Sequence, residues 1–230
     1  MSGERLAPLI AVVGSDGSGK STLSQDILEH IRKSRPAELG YLGLGTGEQG
    51  RSIGRLPLIG PVLHRWLDGI ADRLRDPDGP IPGLIPALYA MRKSRKRRAQ
   101  FERLLERRRA GVAIVTDRYP QTEVSGLHDG PIMAGKAMTP RVVRLQADER
   151  ALYAEMAAYV PTLVIRLNID TDTVMVRKPD HVRELIARKV ETVPLLTFNG
   201  APLIDLDATI PYDEELRMAL QAVDAALASV

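Results

Sequence analysis

A chain of 230 residues, 44% of them hydrophobic, is long enough for one α/β domain with a substantial core and too short for two large ones. It contains no cysteine, which excludes disulfides, thiolate metal sites and cysteine nucleophiles. Net charge is +3, yet Arg92 to Arg109 holds ten Lys or Arg against Glu102 and Glu106. That segment is +8 and the remainder −5, so the chain is basic in one stretch and not throughout.

Met1 to Arg5 leads into a short apolar run without the length or flanks of a signal peptide or membrane span, so a cytoplasmic location is expected. Leu9 to Val13 is a β-rich run ending at Gly14 and predicts a buried strand. Leu23, Ile27, Leu28 and Ile31 have helical spacing, which predicts a helix from Ser18 to Lys33. Tyr41 to Leu44 is a candidate second strand. Residues 45–86 are rich in Gly and Pro, with a short helix expected near Val62 to Leu74; Trp66 there is expected to pack. Leu84 to Arg109 predicts a long helix stopped by Gly111, followed by a strand over Val112 to Thr116. Residues 120–145 are expected to be irregular, and Gln146 to Tyr159 helical. A strand over Thr162 to Leu167 precedes a helix from about Asp172, which Pro179 interrupts. Asp180 is placed to cap a further helix running to about Val193. A last strand at Leu203 to Asp205 and a closing helix from Asp213 to Leu227 complete the pattern. Alternating strands and helices imply one parallel sheet covered on both faces, an α/β fold of three layers.

The chemistry is concentrated in Gly14-Ser15-Asp16-Gly17-Ser18-Gly19-Lys20-Ser21, a complete G-x-x-x-x-G-K-[ST] loop between a strand and a helix. Its glycines allow backbone N–H groups to curl around phosphates, and the helix start adds positive potential. Lys20 is expected on the β- and γ-phosphates of ATP, and the Ser21 hydroxyl on Mg²⁺. No N-K-x-D guanine motif and no L-S-G-G-Q signature is present, which argues against a GTPase and a transporter ATPase. Asp16 would repel phosphates, so it is expected to accept a hydrogen bond from a substrate hydroxyl. Asp117 follows an apolar strand where a second Mg²⁺ ligand belongs, and Arg118 is aimed at the same crevice.

These residues, Gly14 to Thr22 with Asp117-Arg118-Tyr119, resemble the thymidylate kinase branch of the P-loop nucleoside monophosphate kinases. Three further stretches agree: the long helix from Leu88 to Gly111, Leu167-Asn168-Ile169-Asp170 through Val176-Arg177-Lys178, and Asp205 to Leu216. The resemblance implies a three-layer P-loop NTPase fold in a single domain over 1–230. A helical lid would lie at about 177–192 and acceptor-side regions at about 45–86 and 120–145. Gly14, Ser15, Gly17, Ser18, Gly19, Lys20, Ser21 and Thr22 would cradle ATP, with Asp207 and Ala208 against adenine. Ser21 and Asp117 would hold Mg²⁺, while Lys20, Arg118, Arg177 and Arg183 would act in phosphoryl transfer. Asp16, Arg118, Tyr119 and one of Arg92, Arg95 and Lys96 would contact the acceptor; those last three share a helix face and stay open.

The chain departs from the family where the base is read. Its E-P-G-G-T segment is replaced by Gly45-Thr46-Gly47-Glu48-Gln49-Gly50-Arg51. Pro120-Gln121-Thr122 and His128-Asp129-Gly130-Pro131 stand in place of the thymine-holding residues. His128 and Asp129 lack a third ligand at metal-binding spacing, and His181 is as consistent with a loop surface as with substrate contact.

The expected activity is therefore ATP- and Mg²⁺-dependent transfer of a phosphoryl group to a small acceptor, a nucleoside monophosphate or related metabolite. Alternatives are a sugar or other metabolite kinase of the same fold in cell-surface polysaccharide synthesis, a nucleic-acid-stimulated ATPase using helix 92–109, and a silent nucleotide-binding module. The expected partner is the small-molecule acceptor, with a homodimer allowed, nucleic acid disfavoured and no membrane.

Overall fold

In the computed structural model, which describes residues 6–43 and 69–229, short apolar segments pair into a five-stranded sheet in which every pairing is parallel. The strands are β1 (Leu9–Gly14), β2 (Ala37–Gly40), β3 (Ala113–Thr116), β4 (Leu163–Asn168) and β5 (Leu203–Asp207), in the order β2-β3-β1-β4-β5. Side chains alternate across β1, and both faces are buried. Ile10 and Val12 pack with Leu23, Ile27 and Ile31 of α1 (Lys20–Arg32) and with Ala219 and Val223 of the closing helix Tyr212–Ala228. Leu9, Ala11 and Val13 pack with Phe101 and Leu105 of α2 (Leu84–Arg109) and with Leu152 and Tyr153 of α3 (Pro140–Ala157). Helices on each face of a parallel sheet give the expected three layers.

Connections run from β1 toward β2 and β3 on one side, then from β3 to β4 and β5 on the other. A crevice therefore opens at the carboxyl ends of β1, β3 and β4. Two further helices, α4 (Thr171–Arg177) and α5 (Arg183–Thr192), follow β4 and precede β5. The closing helix is α6.

Several boundaries differ from the sequence reading. The second strand is Ala37–Gly40, not Tyr41 to Leu44. It is an edge strand with only Ala37 and Gly40 buried, so it carries almost no apolar run to read. Helix α3 begins six residues before Gln146. Thr139 accepts from the Val142 N–H and Pro140 opens the first turn, a start signal overlooked within a stretch taken as irregular. Asp180 does not cap α5; Val182 holds that position without a side-chain bond. Asp170 instead caps α4, accepting from the Thr173 N–H at 2.8 Å. Residues 69–75 are helical and overlap the end of the helix expected near Val62 to Leu74, whose earlier part lies outside the described residues. The 45–51 segment and Trp66 lie outside the described residues. Gly111 does terminate α2, at φ 83°. Among the described residues, no helix is long and apolar enough to cross a membrane.

Candidate active site

Five residues turn the chain from the end of β1 into α1, and they do so through conformations that favour glycine. Gly17 and Gly19 have φ of 80° and 90°. At Gly14 a side chain would meet the Leu167 carbonyl oxygen at 2.7 Å and Ser18 Oγ at 2.8 Å, so the loop sits directly on the end of β4. Gly19 is the N-cap of α1 and gives no side-chain cap, which leaves the first N–H groups of the helix for an anion. Buried Ser18 Oγ has no protein partner. Lys20 Nζ donates to the Ser15 carbonyl at 2.6 Å, curled back over the loop. Burial lowers the Lys20 pKa from its ordinary value, and Asp16 offsets part of that.

The end of β3 meets this loop. Ser21 Oγ donates to Asp117 Oδ2 at 3.0 Å, although 96 residues separate them in the chain. One hydroxyl and one carboxylate oxygen, beside a loop shaped for phosphates, fit Mg²⁺, which takes few protein ligands and completes its shell with water and phosphate oxygens. Among the described residues no group of three His, Cys, Asp or Glu forms a dedicated metal cage.

Arg118 and the segment after it build the other end of the pocket. The pocket is lined by Gly14, Ser15, Asp16 and Lys20, by Asp117 and Arg118, by His128 and Asp129, and by Lys189, Leu196 and Phe198. Arg118 Nη1 lies 3.5 Å from Asp129 Oδ1, and the Asp129 carboxylate is the main reason its pKa is raised. The same Oδ1 accepts from Arg97 Nη2 at 2.6 Å. Arg97, 1% exposed, is one of the two arginines that α2 buries, Arg108 being the other. The Arg97 Nε donates to the Leu42 carbonyl at 2.8 Å, and its Nη1 to the Asp129 carbonyl at 2.8 Å and Tyr153 OH at 3.1 Å. Removing one member of a buried pair of this kind costs on the order of 3 kcal/mol.

His128 and Asp129 occupy the left-handed region, with φ of 46° and 64°. Such a conformation costs of order 1 kcal/mol per residue and persists only where surroundings enforce it. Here Gln121 enforces it. Its buried amide donates to the carbonyls of Val124 (2.7 Å), Leu127 (2.9 Å) and His128 (3.3 Å) and accepts from the Val124 N–H (2.8 Å). Phe198 and Asn199 form a second left-handed pair, at φ 50° and 55°. Glu123 holds that turn through the N–H groups of Thr197 (2.7 Å) and Asn199 (3.3 Å).

Helix α5 closes the pocket between these ends. Lys189 forms an ion pair with Asp16, and the His128 ring nitrogen Nε2 bonds the Lys189 carbonyl (2.9 Å) and Thr192 Oγ1 (2.8 Å). Burial alone would raise the Asp16 carboxyl. The facing Lys189 ammonium, with Lys20 and Arg118 behind it, outweighs burial and holds the pKa below the usual value. Asp16 is thus an ionised, acceptor-only group at neutral pH. Burial holds the His128 imidazole below its ordinary pKa.

The remaining expected residues divide. Arg177 of α4 clamps the loop from outside, its Nη1 donating to the Gly17 carbonyl (3.0 Å) and its Nη2 to the Ala208 carbonyl (2.9 Å). Asp207 folds the turn after β5 by accepting from the Thr209 N–H at 2.8 Å. Thr22 is exposed on the first turn of α1. Arg183 is 58% exposed and pairs with Asp172 at 2.5 Å, outside the pocket lining. Tyr119 is buried in the core against Phe101 and Phe198, and its hydroxyl donates to the Tyr159 carbonyl; it does not line the pocket. Arg92, Arg95 and Lys96 are all exposed and lie outside the lining.

The sequence reading did not single out Arg97 or Lys189, and set His128 and Asp129 aside as non-ligands. Arg97 had a signal: it continues the buried stripe of α2 that runs Ala90, Ser94, Arg97, Phe101, Leu105, where a cation needs an explanation. Lys189 lies three residues beyond Ile186, the buried residue of α5.

No family model matches the chain. Over 221 residues it is 40% identical to the uncharacterized ATP-binding protein YghS of Escherichia coli K12, covering 95% of this chain and 93% of that one. The uncharacterized ATP-binding protein YghR of the same strain is 38% identical over 217 residues, covering 94% and 86%. Among solved structures, deoxyadenosine kinase from M. mycoides with bound dATP aligns over 94% of this chain and 99% of its own. The two share 13% identity at a TM-score of 0.48.

Proposed function

Because this chain belongs to the family of the E. coli ATP-binding proteins YghS and YghR, we propose that it is an ATP-dependent phosphotransferase, thymidylate kinase-like in its donor site, acting on a small acceptor. The observation that carries this reading is the meeting of Ser21 with Asp117 at 3.0 Å beside Lys20 and Arg118. A protein that only held ATP would need the loop. It would not need a strand-end acid, an arginine and a second carboxylate facing the same space.

The ATP phosphates would lie on the uncapped N–H groups of α1, drawing Lys20 Nζ off the Ser15 carbonyl. Ser21 and Asp117 would hold Mg²⁺, which neutralises phosphate charge when bound. The acceptor hydroxyl oxygen bonds to the γ-phosphorus as the bond to the bridging oxygen breaks; that electron pair leaves with ADP, and the hydroxyl proton passes to water. Asp16 orients the hydroxyl. Its lowered pKa makes it a weak base, which suffices where the transition state is loose and the proton leaves late. Lys20 and Arg118 stabilise the charge on the moving group. Arg177 supports the loop by holding Gly17 and Ala208 together, and α5 serves as the lid, reaching the pocket through Lys189.

The test is transfer of label from γ-labelled ATP to an added acceptor, read beside ADP release. Label appearing in the acceptor supports the reading. Label found only in inorganic phosphate, whatever acceptor is added, sinks it.

A further inference from the structure

Among the described residues, Lys20 and Lys189 bring ammonium groups to the pocket, and both are docked on acceptors of the Gly14–Ser21 loop. Lys20 Nζ donates to the Ser15 carbonyl at 2.6 Å, and Lys189 Nζ donates to the Asp16 carboxylate. Lys20 belongs to the loop itself, whereas Lys189 arrives from α5, whose backbone is fixed by other contacts. Ile186 is buried in one cluster with Leu23, Leu167 and Val174, and the His128 ring bonds the Lys189 carbonyl and Thr192 Oγ1. Only the Lys189 side chain therefore has to move for its ammonium to change partners, and its flexible stem allows that. Arg183 and Arg188, the other cations of α5, are exposed and do not line the pocket.

The partner of Lys189 is the carboxylate that the proposed reaction assigns to the acceptor hydroxyl. The terminal phosphate of bound ATP carries more negative charge than one carboxylate, so it competes for the ammonium. If ATP alone takes it, the partly buried Asp16 carboxylate is left unpaired beside phosphates, which is unfavourable. A hydroxyl donated to Asp16 removes that cost. The exchange is favoured with both ligands present and resisted with ATP alone.

We propose that Lys189 is the cation of α5 that meets the γ-phosphoryl group, and that its pairing with Asp16 withholds it until an acceptor hydroxyl arrives. The inference rests on the phosphotransferase reading. It makes ATP and acceptor each raise the affinity of the pocket for the other, and it restrains transfer to water in the absence of an acceptor.

The experiment needs no acceptor. Asp16→Asn removes the charge that holds the ammonium and so imitates the acceptor-occupied state. Titration calorimetry with Mg²⁺ gives the affinities for the non-hydrolysable ATP analogue AMP-PNP and for ADP, and their ratio isolates the γ-position. Asp16→Asn should raise the preference for AMP-PNP at least about fivefold, the low end of couplings between sites. Adding Lys189→Met should abolish that gain, bringing the double variant within about twofold of Lys189→Met alone, whereas adding Lys189→Arg should keep it. A gain that persists without Lys189 would be relief of repulsion between Asp16 and phosphate, and overturns the proposal. So does an Asp16→Asn effect that is equal for ADP and AMP-PNP, or no effect at all. Asp16→Ala carries the same cycle should Asp16→Asn fail to fold. Because the cycle reads binding, label transfer judges the underlying reaction separately. A failed cycle with label reaching an acceptor removes Lys189 and leaves the transferase standing. A positive cycle with label only in inorganic phosphate overturns the acceptor's part in the exchange.

Discussion

The two ends of the pocket are made by different means. The donor end is backbone: glycines at positive φ, an uncapped helix start, and one lysine folded over the loop. The opposite end, proposed for the acceptor, is side chain: Arg97 from α2, Asp129 from an irregular segment and Lys189 from α5, each held by partners distant in sequence. Backbone geometry recognises an anion and little else, and any nucleoside triphosphate satisfies it. A side-chain network can be exchanged residue by residue, so it is where a fold keeps its chemistry and changes its substrate.

The sharpest way to break this contrast is Lys20→Ala. Loss of the donor-end cation should lower turnover about 10²–10³-fold, the range for removing one preorganised electrostatic group. A variant retaining wild-type label transfer would show that the loop does not hold the reacting phosphate. Gln121→Leu probes the other end. It takes the amide donor from the Val124 and His128 carbonyls, while the Leu127 carbonyl keeps the Gly130 N–H; at about 1–3 kcal/mol per group the folded state should lose about 2–6 kcal/mol. Acceptor KM should rise while ATP affinity, measured by titration calorimetry, holds. Equal loss of both affinities would mean the two ends are not separable.

A smaller effect tests burial at the junction with α5. The His128 pKa is held below 6.5 in the folded protein, so below that pH the unfolded chain binds more protons. The stability from neutral His128 is present above pH 6.5 and declines as pH falls toward the folded value, by up to about 1.4 kcal/mol per pH unit. Denaturant titrations at pH 6.5 and 5.5 should show a steeper loss for wild type than for His128→Gln; parallel slopes would place the imidazole in solvent. The least effect is expected from Arg183→Ala. An exposed ion pair is worth roughly 0–1 kcal/mol, and a residue outside the pocket lining should leave kcat within about twofold. A hundredfold loss would bring Arg183 into the reaction after all.

The sequence carried these two ends unequally. The loop from Gly14 to Ser21 is contiguous, and its residue types are dictated by backbone shape, so it could be read without a fold. Asp117 and Arg118 were legible because an apolar run announces a strand and its end faces the crevice. Arg97 and Asp129 meet across 32 residues of chain, and Lys189 and Asp16 across 173; no local pattern encodes those encounters. The choice among Arg92, Arg95 and Lys96 failed to include the inward residue because charge was weighed on the polar face, whereas burial of α2 is set by Ala90, Ser94, Phe101 and Leu105. The misplaced start of α3 and the shifted second strand are boundary effects, decided by one capping threonine and by an edge strand with almost no apolar content.

The ion pair between Lys189 and Asp16 spans the pocket from α5 to the Gly14–Ser21 loop. It makes the protein its own competitor. Any acceptor that uses the Asp16 carboxylate must first displace an internal ammonium, so its apparent dissociation constant exceeds the intrinsic one by the reciprocal of the fraction of molecules with that contact open. Added salt, by screening the contact, shifts that fraction toward open. An acceptor that uses Asp16 should therefore bind more tightly as ionic strength rises, at concentrations that would weaken an ordinary charged interface.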